Sequence, residues 1–163
     1  MLIVRLSEAC EYFEDLIKNS YAFICIGTHL RSDDRVALEF CSRLLELGLN
    51  INTILCEYGL ELCVHEIAEK KLNKVALIDA VYLGEFTQGI IVLDVDEIDD
   101  KLITFTTHQI PTKAILRYLN EIMGEVKVVA IGIPVKNLDI GFELSPEVQD
   151  VVNILIKCFN SRN

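Results

Sequence analysis

The chain has 163 residues, a length that suits one domain spanning residues 1–163 with a core large enough to need neither a structural metal nor disulfides. Its 52% hydrophobic content is broken throughout by polar residues, so neither a membrane span nor a basic-then-apolar leader is expected, and a soluble, cytoplasmic protein is anticipated. A formal charge of −10 with scattered Lys and Arg argues against nucleic acid as a partner, because phosphate binding draws its affinity from clustered cations.

Ser7 is placed to cap a helix in which Ala9, Phe13, Leu16 and Ile17 recur at helical spacing, and the continuous apolar run YAFICIG that follows suits a central strand. After GTHLRSDD, the residues Val36, Ala37, Phe40, Leu44 and Leu47 trace an amphipathic face ended by Gly48, and INTILC reads as the next strand. Glu61 to Lys70 is a weaker helix and VALID a strand. QGIIVLDV is a further strand that lies at an edge or runs antiparallel, which makes the sheet mixed. Pro111 stands near the start of a helix carrying Ile115, Leu119 and Ile122, and KVVAIGI is the next strand. Ser145, Pro146 and Glu147 supply a cap, a first-turn proline and a dipole-matched acid ahead of Val148, Val152, Leu155 and Phe159. This alternation implies an α/β fold, a three-layer α/β/α sandwich around a largely parallel, twisted sheet of about five or six strands.

Cys25, Cys41, Cys56 and Cys158 sit among apolar residues, where free thiols pack as small hydrophobes, so the six cysteines are expected to be reduced core residues. No CxxC pair occurs, which removes a structural zinc site.

In an open α/β sheet, ligands collect outside the carboxyl ends of the parallel strands. Asp33 and Asp34 follow the first apolar run, Asp79 ends the VALID strand and His108 ends KLITFTTHQIP, so residues distant in sequence can converge there. Two carboxylates and an imidazole make a mixed oxygen and nitrogen site for a borderline metal such as nickel or zinc, with positions open for substrate or water. Asp33 is expected to be a first-turn acid that satisfies the amides of its own helix, and Asp34 to be the functional member of the pair. Asp79 needs a metal, a cation or several hydrogen bonds, because a carboxylate ending an apolar strand loses its hydration. His29 is a rival ligand and His65 a surface or packing residue.

These segments resemble the hydrogenase maturation proteases, endopeptidases that trim the large subunit of nickel-iron hydrogenases. GTHLRSDDRVA looks like the family's first motif, LIDAVYLG its strand-end Asp-Ala motif and TTHQIP its histidine motif. IGIPVKNLDIGFELSPEVQDVV is similar to its closing strand, loop and capped helix. The similarity runs from about Tyr21 to the end, in the family's order.

The resemblance implies an aspartate-dependent peptidase acting in the cytoplasm. Its substrate would be the precursor of a hydrogenase large subunit, cut near the C-terminus after nickel insertion. Asp34 and Asp79 would be catalytic, and Asp34, Asp79 and His108 would contact nickel presented by the substrate. Thr28 stands where the family usually has Asn, and Arg35, Val36 and Ala37 where it usually has glycines. Thr28 and Arg35 are accordingly expected to contact the substrate. The changed glycines also motivate an alternative, a non-catalytic metal-sensing or chaperone module that binds the precursor uncut. A phospho-acceptor receiver domain, with Lys136 after the last strand, ranks behind both because it gives His108 no role.

Overall fold

The computed structural model describes residues 1–94 and 112–160. The strands are β1 (Leu2–Val4), β2 (Ala22–Gly27), β3 (Thr53–Glu57), β4 (Lys74–Val81), β5 (Ile90–Asp94) and β6 (Lys127–Pro134). The helices are α1 (Leu6–Lys18), α2 (Val36–Glu46), α3 (Val64–Glu69), α4 (Thr112–Met123) and α5 (Pro146–Asn160), with 3-10 turns at Ser32–Arg35 and Leu60–Cys63. The six strands form one sheet in the order β1-β5-β6-β4-β2-β3. β3, β2, β4 and β6 run parallel, while β5 lies antiparallel to β6 and β1 antiparallel to β5.

The side-chain period of two along a strand divides the core between the sheet's faces. Phe23 and Cys25 of β2 and Ala76 and Ile78 of β4 point to one face, where Phe13 of α1, Phe40 of α2 and Phe159 of α5 close over them. Those phenylalanines meet as tilted and edge-on pairs, with Phe13 5.2 Å from Phe40 and 6.3 Å from Phe159 between ring centroids. Ile24 and Ile26 of β2 and Val75 and Leu77 of β4 point to the other face, under Ile67 of α3 and Leu119 of α4. The expected three layers and mixed sheet are therefore present.

The QGIIVLDV strand takes the antiparallel one of its two expected arrangements, and β1, three residues long with no alternation to announce it, covers its outer side. Three local expectations need correcting. Ser7 is not a cap, because α1 begins at Leu6 with Arg5 in the capping position and no side-chain cap bond. Asp79 is not at the tip of β4, which continues through Ala80 to Val81 and pairs Asp79 with Gly132.

The cysteines are not free thiols. They form three disulfides, Cys10–Cys158, Cys25–Cys41 and Cys56–Cys63. A half-cystine and a buried thiol share the same apolar surroundings, so neighbouring residues do not distinguish them. What decides is Cα separation, 5.5, 6.4 and 5.8 Å for the three pairs, within disulfide reach.

Candidate active site

The carboxyl ends of β2 and β4 lie side by side, and polar groups hold the segment that leaves β2 in place. Leaving β2, the chain passes Thr28, whose hydroxyl accepts the Leu30 amide at 3.3 Å, and enters the 3-10 turn Ser32–Arg35. This turn packs against both β2 and β4. Gly27 makes that approach possible: a Cβ there would stand 2.2 Å from the Asp34 carbonyl oxygen, so any side chain would push the turn off the strand. Ser32 holds a positive φ of 26°, a costly conformation outside glycine that surrounding bonds must enforce.

Those bonds come from the segment after β6. Ser32 donates its amide to the Gly141 carbonyl at 2.9 Å, Asp33 donates to Asn137 at 3.0 Å, and Gly141 donates to Leu30 at 3.1 Å. Arg31 Nε donates to the Leu138 carbonyl at 2.9 Å, and the Arg35 guanidinium donates to the Phe142 carbonyl. The Asp33 carboxylate completes the hook. Oδ2 accepts from the Lys136 amide at 3.0 Å, the Asn137 amide at 2.9 Å and the Ser145 hydroxyl at 2.9 Å, while Oδ1 accepts the Ser145 amide at 2.6 Å. Asp33 thus satisfies amides, as expected of it, but those of a distant loop and of the α5 cap rather than of its own helix.

Among the described residues, the buried polar and charged side chains are Thr28, Ser32, Asp33, Asp34 and Asp79, and all five belong to the carboxyl ends of these two neighbouring strands. Burial of ionisable groups costs several kcal/mol each unless a partner offsets it, roughly the scale of whole-domain stability. Among the described residues, their concentration at one rim is the main departure from an apolar interior. Asp79 Oδ1 accepts the Ala80 amide at 2.7 Å. Strand alternation places Asp79 with Val75 and Leu77, on the face covered by α3 and α4.

His108 lies outside the described residues, as does Pro111. α4 begins at Thr112, four positions later in sequence, and a short turn joins its end to β6. α4 therefore runs against β6, with its first turn toward the carboxyl rim. Among the described residues no three His, Cys, Asp or Glu side chains gather as metal ligands. His65 and Glu61 line a cleft of about 310 Å³ with Val64, Ala114, Ile115 and Tyr118, between α3 and α4. Sequence reasoning passed over that cleft, because no local pattern marks where two helices on separate segments leave a gap.

A doubly covered sheet with buried carboxylates at its carboxyl rim is the architecture of an α/β enzyme. A sequence model described as hydrogenase maturation protease matches residues 59–161, and the chain belongs to that family of peptidases. Asp79 and His108 fall within the matched stretch and Asp34 before it. No curated protein matches the sequence significantly.

The fold is similar to the hydrogenase maturation protease HycI of Thermococcus kodakarensis, with 23% identity, TM-score 0.72, and 92% of this chain and 97% of that one covered. It is also similar to the endopeptidase HycI of Escherichia coli, with 21% identity, TM-score 0.70, and 85% and 87% covered. HybD of Thermococcus kodakarensis, another nickel-iron hydrogenase maturation protease, aligns with 23% identity, TM-score 0.66, and 86% and 97% covered.

Proposed function

We propose that this peptidase removes a C-terminal peptide from the precursor of a nickel-iron hydrogenase large subunit, and that it acts once the precursor holds nickel. The observation that carries the reading is the collection of all buried polar side chains of the described residues at one rim, Asp34 and Asp79 among them. Two such carboxylates can bind an ion and move a proton.

Asp34, Asp79 and His108 would contact nickel carried by the substrate, and two carboxylates with one imidazole suit a borderline divalent ion whose other ligands the precursor keeps. Such an ion acts as a Lewis acid toward the scissile carbonyl. This chain's own contribution is position and proton transfer. The fixed turn at Ser32–Arg35 and the paired strand β4 hold the two carboxylates on rigid elements, and one of them takes a proton from the attacking water. Thr28 can donate its hydroxyl proton to the substrate backbone while accepting the Leu30 amide. Arg35 acts on the substrate from beside the rim loop that its guanidinium holds at Phe142. No helix among the described residues is long and apolar enough to cross a membrane.

Precursor prepared with and without nickel and mixed with the protein tests the reading through the intact mass of the large subunit. The nickel-loaded form should lose a C-terminal peptide and the nickel-free form should keep it. Cleavage of both forms alike would remove nickel sensing from the account, and cleavage of neither would remove the activity.

A further inference from the structure

Exposed large apolar side chains are normal when scattered and informative when they converge. Here they converge on the rim that carries Asp34 and Asp79. Leu30 follows β2, Tyr58 and Leu62 follow β3, Tyr82 follows β4, and Ile140 and Phe142 follow β6, so four separate strand-end segments each present an apolar side chain to solvent. Ile140, Phe142 and Leu62 are 87%, 70% and 66% exposed, the highest values among the large hydrophobics of the described residues.

The two most exposed sit on a loop that is anything but slack. Asp33, Arg31 and Arg35 bind it at Lys136, Asn137, Leu138, Phe142 and Ser145, and Gly141 forms a parallel bridge with Arg31. That network fixes the loop backbone and so presents Ile140 and Phe142 to solvent. A backbone already ordered loses little entropy on binding, and exposed aromatic and aliphatic side chains carried on it are suited to supply binding energy at a protein interface.

We infer that Leu30, Tyr58, Leu62, Tyr82, Ile140 and Phe142 form a docking collar that binds an apolar patch on the folded body of the substrate precursor, next to the tail to be cut. The inference rests on the proposed processing function and adds how the partner is recognised. Continuity with the rim carboxylates favours the substrate as the occupant, because a protein brought to this rim must cover the collar. Charge opposes the other simple occupant, a second copy, since two chains of −10 each repel. Affinity for the body, separate from grip on the tail, lets the enzyme hold a folded precursor while its flexible end enters the site.

The test compares wild type with the double variant Ile140→Ser/Phe142→Ser, and with Ile122→Ser, an exposed residue of α4 away from the collar, as control. Steady-state cleavage of nickel-loaded precursor gives kcat and KM. Calorimetric titration of the same precursor into Asp79→Asn protein, with and without the double substitution, gives affinity without cutting. The collar predicts a rise of about tenfold or more in KM and in the dissociation constant, kcat within about twofold, and no change in the control. Unchanged KM and affinity with cleavage intact would overturn the collar and leave the processing function standing. Loss of affinity in the double variant, in a protein whose wild type never cuts the precursor, would leave the collar standing without that function. A wild-type dimer that the double substitution splits would also overturn it, because the collar would then belong to a second copy.

Discussion

The Asp33 carboxylate accepts both the amide and the side-chain hydroxyl of Ser145, 112 positions further along the chain. One side chain thereby joins the turn after β2 to the cap of α5, and two further amides, from Lys136 and Asn137, complete its coordination. Asp33 itself is fully buried, while its donors on Lys136, Asn137 and Ser145 are part-buried and regain water only in part when it is removed. Asp33→Ala should cost about 2 kcal/mol, since it removes four hydrogen bonds to a charged acceptor and leaves their donors incompletely paired. Thermal unfolding checks this, and a melting temperature equal to that of wild type would show that the hook is idle. Asp33→Asn should fall between the two, because an amide presents one acceptor oxygen where the carboxylate presents two.

Gly27→Ala should displace the Ser32–Arg35 turn, because its new Cβ would meet backbone, the Asp34 carbonyl oxygen 2.2 Å away, rather than a movable side chain. The expected loss is about 1–3 kcal/mol of stability. The larger effect should be on activity, since an ångström of misplacement at a carboxylate can cost about 100-fold in rate. Cleavage assayed well below the variant's melting temperature separates the two, and full activity there would show that Asp34 tolerates the shift.

Much of this was legible in sequence. The strands β2, β3, β4 and β6 and the amphipathic helices follow from apolar period, and Ser145, Pro146 and Glu147 do announce α5. The place of Asp34 just beyond β2 followed from the apolar run before it, whereas Asp79 lies inside β4, two residues short of its end. What stayed hidden depends on contacts across the chain. The role of Asp33 is set by donors more than 100 positions away, β1 is too short to show a period, and the pairing of Cys10 with Cys158 requires knowing that α1 packs on α5.

Reduction should loosen the protein measurably. Cys10–Cys158 closes a separation of 148 residues and Cys25–Cys41 one of 16. Loop-closure entropy values such bonds at about 5 and about 3 kcal/mol. Treatment with a strong thiol reductant should lower the melting temperature by about 10 °C or more. Thiol titration of the unfolded, unreduced protein should find no free cysteine, and recovery of all six thiols would contradict the disulfides.

Glu147 at the start of α5 accepts a hydrogen bond from the Lys136 ammonium, which together with its backbone bond holds its carboxyl below the ordinary value of 4.5. A depressed folded value means that the contribution to stability is present above the unfolded value and is lost as pH falls through the folded one. The pair lies at the surface with both side chains about half exposed, so solvent screens it, the effect on stability is small and it is best read directly. Carbon-detected NMR titration should place the Glu147 midpoint below 4.5, and Lys136→Met should return it toward that value.

The central claim is that Asp34, Asp79 and His108 serve one site. Its most direct test is the intact mass of a nickel-loaded large-subunit precursor after incubation with wild-type protein or with Asp34→Ala, Asp79→Ala or His108→Ala, each shown to be folded by circular dichroism. The account predicts release of a C-terminal peptide by wild type and a loss of about 100-fold or more in rate for every variant. Cleavage at the wild-type rate by all three would contradict it.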